Sequence, residues 1–197
     1  MVERQLRPHG IYDERVLAAM GEVPREVFLG PRSRRFAYDD RALAIPAGQT
    51  ISQLLVVAAM TQALRLRESD VALEVGTGTG YQAAVLSRLC RRVTSLELEP
   101  ELAALAQANL ARLGYANVAV AVADGRLGWP PSAPYPAILV ACAAPEVPPA
   151  LLRQLADGGR LVMPVGGPDD QVLRLLTRQG KRVTDVPLFQ VRFVPLR

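Results

Sequence analysis

Lysine is almost missing from this chain. Lys181 is the only one in 197 residues, so the net charge of +4 rests on arginine and reads as a coding bias rather than a functional sign. Long apolar runs are missing too. Half the residues are hydrophobic, yet stretches such as Leu54–Met60 and Ala137–Ala144 fall far short of the ~20 residues a membrane span needs. The first ten residues, MVERQLRPHG, are charged and lack the apolar core of a signal peptide. Two cysteines, Cys90 and Cys142, have neither the number nor the spacing of a disulfide framework or a zinc site. No metal is expected, and both thiols read as buried packing residues. The densest basic run, RSRRF at Arg32–Phe36, and the Arg91-Arg92 pair fall short of the long, aromatic-interleaved stripe that nucleic acid would call for. These absences leave a soluble cytoplasmic protein with no membrane and no nucleic-acid partner. The length suits one domain over 1–197, and a monomer is the expected state.

What is present divides near residue 70. Before it, Val16, Leu17 and Met20 follow Asp13 and Glu14 at helical spacing, and a second helix is predicted from Ile51 to about Arg65. From Val71 short apolar strands, predicted at 71–76, 93–98, 118–123, 137–142 and 160–165, alternate with helical segments near 80–90, 100–113 and 147–156. Gly114 stops the second of these helices and Gly158-Gly159 follows the third. Two extended runs flank Lys181, with Gly180 at the turn. The expected fold is α/β and Rossmann-like: a mostly parallel sheet with helices on both faces, an N-terminal helical segment over 1–70 and a hairpin at one edge.

The first strand runs into LEVGTGTGYQAAVL, where Gly76, Gly78 and Gly80 occupy a strand-to-helix turn. Glycines there permit positive φ and close ligand approach. Glu97 follows Gly76 by 21 residues, at the end of the next strand, where an acid can accept both hydroxyls of a ribose. The pattern ExGxGxG from Glu74 to Gly80, enclosing Thr77, differs from GxGxxG. An acid ahead of the loop would repel a pyrophosphate and suits the ammonium end of S-adenosylmethionine. Asp124-Gly125 ends the third strand, and its carboxylate can accept from an adenine amino group. Three acids at three strand ends favour S-adenosylmethionine over a nicotinamide cofactor or an unliganded loop. Asp124 before Gly125 is also an ordinary turn pair.

The stretch GQTISQLLVVAAM, Gly48–Met60, matches a capping box with Thr50 as N-cap and Gln53 reaching back. Ser52 would then sit in the first turn, beside free N–H groups that also suit an anion. Cap and anion site both remain open on these residues alone.

Taken in order, VERQL, DERVLAAM, GQTISQ, LEVGTGTGYQAAVL, DGRLGWP, APEVPPALL, GGRLVMPVG and the terminal VRFVPL resemble the protein-L-isoaspartate O-methyltransferases over nearly the whole chain. The resemblance implies S-adenosylmethionine-dependent methylation of the free α-carboxylate of isoaspartyl residues in damaged proteins and peptides, the first step of their repair. It assigns Ser52 to the active site, puts Thr50 on the same wall, and places Val191, Arg192 and Phe193 against the substrate main chain. A carboxylate with pKa near ~4 is ionised at neutral pH. No general base is then needed, consistent with a sole histidine, His9, in a charged segment. The family commonly continues TISQ with proline and an aromatic or histidine, where this chain has Leu54 and Leu55. Alternatives are a related methyltransferase for another carboxylate or small molecule, and a non-catalytic cofactor-binding module.

Overall fold

A computed structural model describes residues 1–197. Asp13 caps the first helix, α1 (Glu14–Glu22), by accepting from the Arg15 and Val16 amides. A two-stranded ribbon of β1 (Leu43–Ala44) and β2 (Thr50–Ile51) precedes α2 (Leu54–Leu64). The alternating part then supplies β3 (Val71–Val75), α3 (Tyr81–Ser87), β4 (Arg92–Glu97), α4 (Pro100–Arg112), β5 (Val118–Val122), β6 (Tyr135–Val140) and α5 (Pro149–Gln154). Three long strands close the chain: β7 (Leu155–Gly167), β8 (Asp170–Gln179) and β9 (Arg182–Val191).

The seven strands order as β5-β4-β3-β6-β7-β8-β9, parallel through β7 and antiparallel for β8 and β9. The expected edge hairpin is therefore present, turning at Gly180 and Lys181. β7 is far longer than the predicted 160–165: it starts at Leu155, which pairs with Tyr135 of β6, and β8 pairs with it from Arg160 to Gly167. Gly158 and Gly159 lie inside that strand rather than after a helix stop.

Period-2 alternation sends neighbouring strand residues to opposite faces. Ala72, Leu139 and Val162 enter one core, while Leu73, Ile138, Val140, Leu161 and Met163 enter the other. The first core also takes Leu6, Val16, Leu17 and Met20 from the N-terminal segment, together with α2 and α3. Residues 1–70 thus share a core with the sheet. Arg15 ties them further by donating to the Leu66 and Leu89 carbonyls at 2.7 and 2.8 Å. The buried Arg25 guanidinium lies 5.0 Å from the centroid of Tyr81 on α3, a cation–π arrangement.

Strand order reverses direction between β3 and β6. In open α/β sheets the crevice outside the strand C-termini at such a point is the place for a ligand. Here it opens beside Val75, Gly76, Ala141 and Cys142.

Candidate active site

Three cavities meet at the C-terminal end of the sheet. The outer cleft runs from Gly76 and Gly78 past Glu97 to Gly125, and the tail residues Val194–Arg197 form its far wall. An inner cavity lies between the glycine loop, with Thr77, and Ser52. A groove of about 620 Å³ opens on the other side of Ser52, between Asp40, Leu55 and the end of β9. Thr50 lines all three, and Ser52 lines the inner cavity and the groove.

Gly76 has φ 92°, a conformation that favours glycine, and a Cβ there would meet Ala141 at an ordinary contact distance of 3.5 Å. Gly125 has less room, since an added Cβ would stand 2.1 Å from Val75 Cγ1. Gly80 has φ 98° and caps α3, packing on Leu110 rather than lining a cavity. Its role is to seat the loop.

Glu97 is buried and held from behind. Its Oε2 accepts from the Gly78 amide at 2.8 Å, and Oε1 accepts from the Leu98 and Glu99 amides at 2.9 and 3.2 Å. A carboxylate has about four lone-pair sites, so three amides aim it into the cleft and leave capacity for a hydroxyl donor. Glu99 is engaged elsewhere, accepting from Arg197 at 2.7 Å. That ion pair occupies the only arginine along the cleft, leaving an acidic, apolar-walled site that suits a nucleoside with a cationic end better than a pyrophosphate. The residues present fit S-adenosylmethionine.

The other two acids stand differently from their sequence-based expectation. Glu74 does not reach the cleft: it is fully buried under the loop, with Oε2 accepting from Ser95 Oγ at 2.5 Å and Oε1 without a partner. Burial pushes its pKa up to about 8, against the Ser95 hydrogen bond and with a further rise from Glu97. Asp124 caps the turn Gly125–Leu127 by accepting from the Arg126 amide, and its carboxylate forms a fork with the Arg126 guanidinium at 2.7–3.1 Å. The Arg126 hydrogen bond holds its pKa below the usual range. Ala123 and Gly125, its neighbours, line the cleft. Asp124 thus stands at the rim with its oxygens already shared.

The capping box is not formed. Thr50 is in β2, paired with Ala44, and Gln53 is the N-cap residue without a side-chain capping bond. The cap comes from Asp40, whose Oδ1 accepts from the Leu55 amide at 3.2 Å and whose Oδ2 accepts from Gln53 Nε2 at 3.0 Å. Pairing of β1 with β2 outweighs the local helix signal, leaving Thr50 and Ser52 facing cavities instead of the helix. Asp40 escaped the sequence reading because its partners lie 13 and 15 residues away. Leu54 is fully buried and Leu55 lines the groove, so the two leucines divide between core and cleft.

Val191, Arg192 and Phe193 line the groove opposite Ser52. Arg192 also reaches Asp169 at 3.4 Å, an exposed pair worth little by itself. Cys142 borders the outer cleft, but burial and the Glu97 and Glu74 charges push its pKa up to about 12; burial puts Cys90 near 11. Neither thiol is a nucleophile at neutral pH. His9 is exposed, with Nδ1 against the Gln5 carbonyl.

The family described as protein-L-isoaspartate(D-aspartate) O-methyltransferase matches residues 1–197. A protein-L-isoaspartate O-methyltransferase of Methanoculleus marisnigri is 52% identical over 196 residues, covering 100% of this chain and 89% of the relative. One from Pelobacter propionicus is 53% identical over 198 residues, covering 100% and 88%. A solved protein-L-isoaspartate O-methyltransferase superposes with a TM-score of 0.88 at 31% identity, over 99% of this chain and 65% of that one. A Plasmodium falciparum structure described as a putative member, in complex with S-adenosyl-L-homocysteine, superposes with a TM-score of 0.83 at 25% identity, over 100% and 96%. From its first residue to its last, this chain belongs to the protein-L-isoaspartate(D-aspartate) O-methyltransferase family.

Proposed function

We propose that this protein transfers the methyl group of S-adenosylmethionine to the free α-carboxylate of isoaspartyl residues in proteins and peptides, the step that starts their repair. The observation that carries this reading is the position of Thr50 and Ser52 where an acidic cleft, an inner cavity and an open groove of about 620 Å³ come together. When bound, the cofactor supplies an electrophilic methyl group on a sulfonium.

The chain's own residues bind and aim. Glu97, fixed by three amides, accepts from the ribose hydroxyls. Asp124 stands where an adenine would end, and Gly76, Thr77, Gly78 and Gly125 shape the space between. Ser52 donates its hydroxyl to the substrate carboxylate, and the start of α2 beside it adds positive potential. Val191–Phe193 hold the peptide main chain by strand-like hydrogen bonds, which are indifferent to side chains and so admit many damaged proteins. The nucleophile is already ionised, so alignment supplies most of the acceleration. The absence of a histidine or reactive thiol at the site fits a reaction needing no base.

We further read the protein as a cytoplasmic monomer with no nucleic-acid partner. Both cysteines are free, and the RSRRF run is turned partly on itself, with Arg35 and Arg41 stacked on Phe36 at 4.5 and 4.9 Å. No helix is long and apolar enough to cross a membrane. The decisive assay is methyl transfer to paired peptides differing only in isoaspartyl or aspartyl linkage. Transfer to the isoaspartyl member alone is expected; equal transfer to both, or to neither, would sink the reading.

A further inference from the structure

Beneath the glycine loop lies a short line of proton-bearing groups that the reaction outlined above leaves unused. Glu74 on β3 stands in register with Ser95 on β4. Ser95 Oγ is 2.5 Å from Glu74 Oε2 and 2.5 Å from Thr77 Oγ1, and in the second contact either hydroxyl can donate. Glu74 and Ser95 are completely buried, and Thr77 lines the inner cavity. The second oxygen of Glu74 is buried with no partner.

Each hydroxyl carries one proton, so the line has two self-consistent orientations. With Glu74 ionised, Thr77 donates to Ser95 and Ser95 donates to Glu74. The Thr77 oxygen then offers only lone pairs to the cavity. With Glu74 protonated on Oε2 the order reverses: Glu74 donates to Ser95, Ser95 to Thr77, and the Thr77 proton turns toward the cavity.

We propose that Ser95 is a positioning residue that couples the protonation of Glu74 to the orientation of the Thr77 hydroxyl, so that binding of cationic S-adenosylmethionine expels one proton and makes Thr77 an acceptor. The proposal rests on the cofactor reading above. The proton balance closes along the line itself: Glu74 passes its proton to Ser95, Ser95 passes its own to Thr77, and Thr77 releases its own to water in the cavity. The O–H bonds left behind point inward, which is the ionised orientation.

The surroundings favour a neutral Glu74 before the cofactor arrives. Burial is the largest influence and raises its pKa to about 8, and the charge facing it is another carboxylate, Glu97 from β4. Beyond β6 it faces the Cys142 thiol, which stays neutral because its own pKa is pushed up to about 12. A positive charge is the missing member, and a cation above the loop favours the carboxylate.

The test is calorimetric titration with S-adenosylmethionine and S-adenosylhomocysteine in two buffers of different ionisation enthalpy, repeated across pH. For S-adenosylmethionine the expected release is about one proton per molecule at pH 7, with affinity rising about tenfold between pH 6 and 7 and levelling above pH 8. S-adenosylhomocysteine, without the sulfonium charge, should release fewer protons. Glu74→Gln should abolish both the release and the slope. Ser95→Ala should move the slope to higher pH, and Ser95→Thr, which keeps the hydroxyl, should restore the wild-type profile. A purely structural Ser95 would instead weaken binding equally at every pH, and that result overturns the proposal. Wild-type affinity independent of pH with no proton released also overturns it, even if no Glu74 variant folds. Failure of both ligands to bind overturns the cofactor reading and this one together.

Discussion

The acidic cleft and the open groove share Thr50 but are built on opposite plans. The cleft is assembled from strand ends, and its main acid is held by backbone amides from the same strand end and the adjoining loop. The groove joins the segment around Asp40, the start of α2 and the end of β9, parts separated by about 150 residues in the chain and brought together only by the folded sheet. In the cleft, geometry follows from the strand-loop-helix unit; in the groove, it follows from how the N-terminal segment and the edge hairpin dock.

The contrast can be broken most forcefully at Glu97. Glu97→Ala removes a charged acceptor from three amides as well as from the ribose, so cofactor affinity should fall by roughly 1.5–3 kcal/mol or more. Unchanged S-adenosylhomocysteine affinity in a calorimetric titration would remove Glu97 from the site.

Ser52→Ala probes the meeting point. A lost hydrogen bond to a carboxylate is worth roughly 1.5–3 kcal/mol, a fall of about tenfold to a hundredfold in kcat/KM for the isoaspartyl peptide. Cofactor affinity and melting temperature should hold. A destabilised variant that kept full transfer would reduce Ser52 to scaffolding.

Glu74, beneath the glycine loop, gives the free protein a pH signature. Its folded pKa is raised from 4.5 to about 8, so across that window the folded state binds more protons than the unfolded one. The sign follows: its contribution to stability falls as pH rises from about 4.5 toward 8. Thermal melts of Glu74→Gln should lack this component. Parallel pH profiles for both proteins would show that Glu74 titrates normally.

On the groove side, Asp40→Ala should cost about 0.5–2 kcal/mol as a lost helix cap and raise the peptide KM with the cofactor constant nearly unchanged. Thr50→Ala, by contrast, removes no cap and should lie within about 0.5 kcal/mol of wild type in denaturant melts. The reverse order of the two stability losses would restore the capping box. The smallest effect is expected from Leu55→Tyr, a modest gain in peptide affinity from a more rigid wall. Leu54 should be left in place because it fills the core.

Much of the cleft was legible in the sequence because its residues are local: Gly76 and Glu97 stand at the ends of predicted strands, and Gly78 and Gly125 lie two residues beyond one. Glu74 is also a strand-end acid, but only tertiary packing decides which acid faces a cavity, and the β3–β4 register turns Glu74 onto Ser95. Asp124 stands at the rim, its oxygens shared with Arg126 two residues on. The length of β7 was hidden for a related reason, since its two ends are set by pairing with β6 at Leu155 and with β8 through Gly167.

By itself the sequence determined the α/β alternation, the glycine turn and the acid at the end of β4, because each depends on residue type and short spacing. Only the tertiary structure decided that Asp40 caps α2, that Thr50 belongs to a strand, that Leu54 and Leu55 part between core and groove, and that the tail walls the cleft. Those outcomes rest on hydrogen bonds and packing between distant segments, where long-range strand pairing and burial outweigh a local propensity worth about 1 kcal/mol.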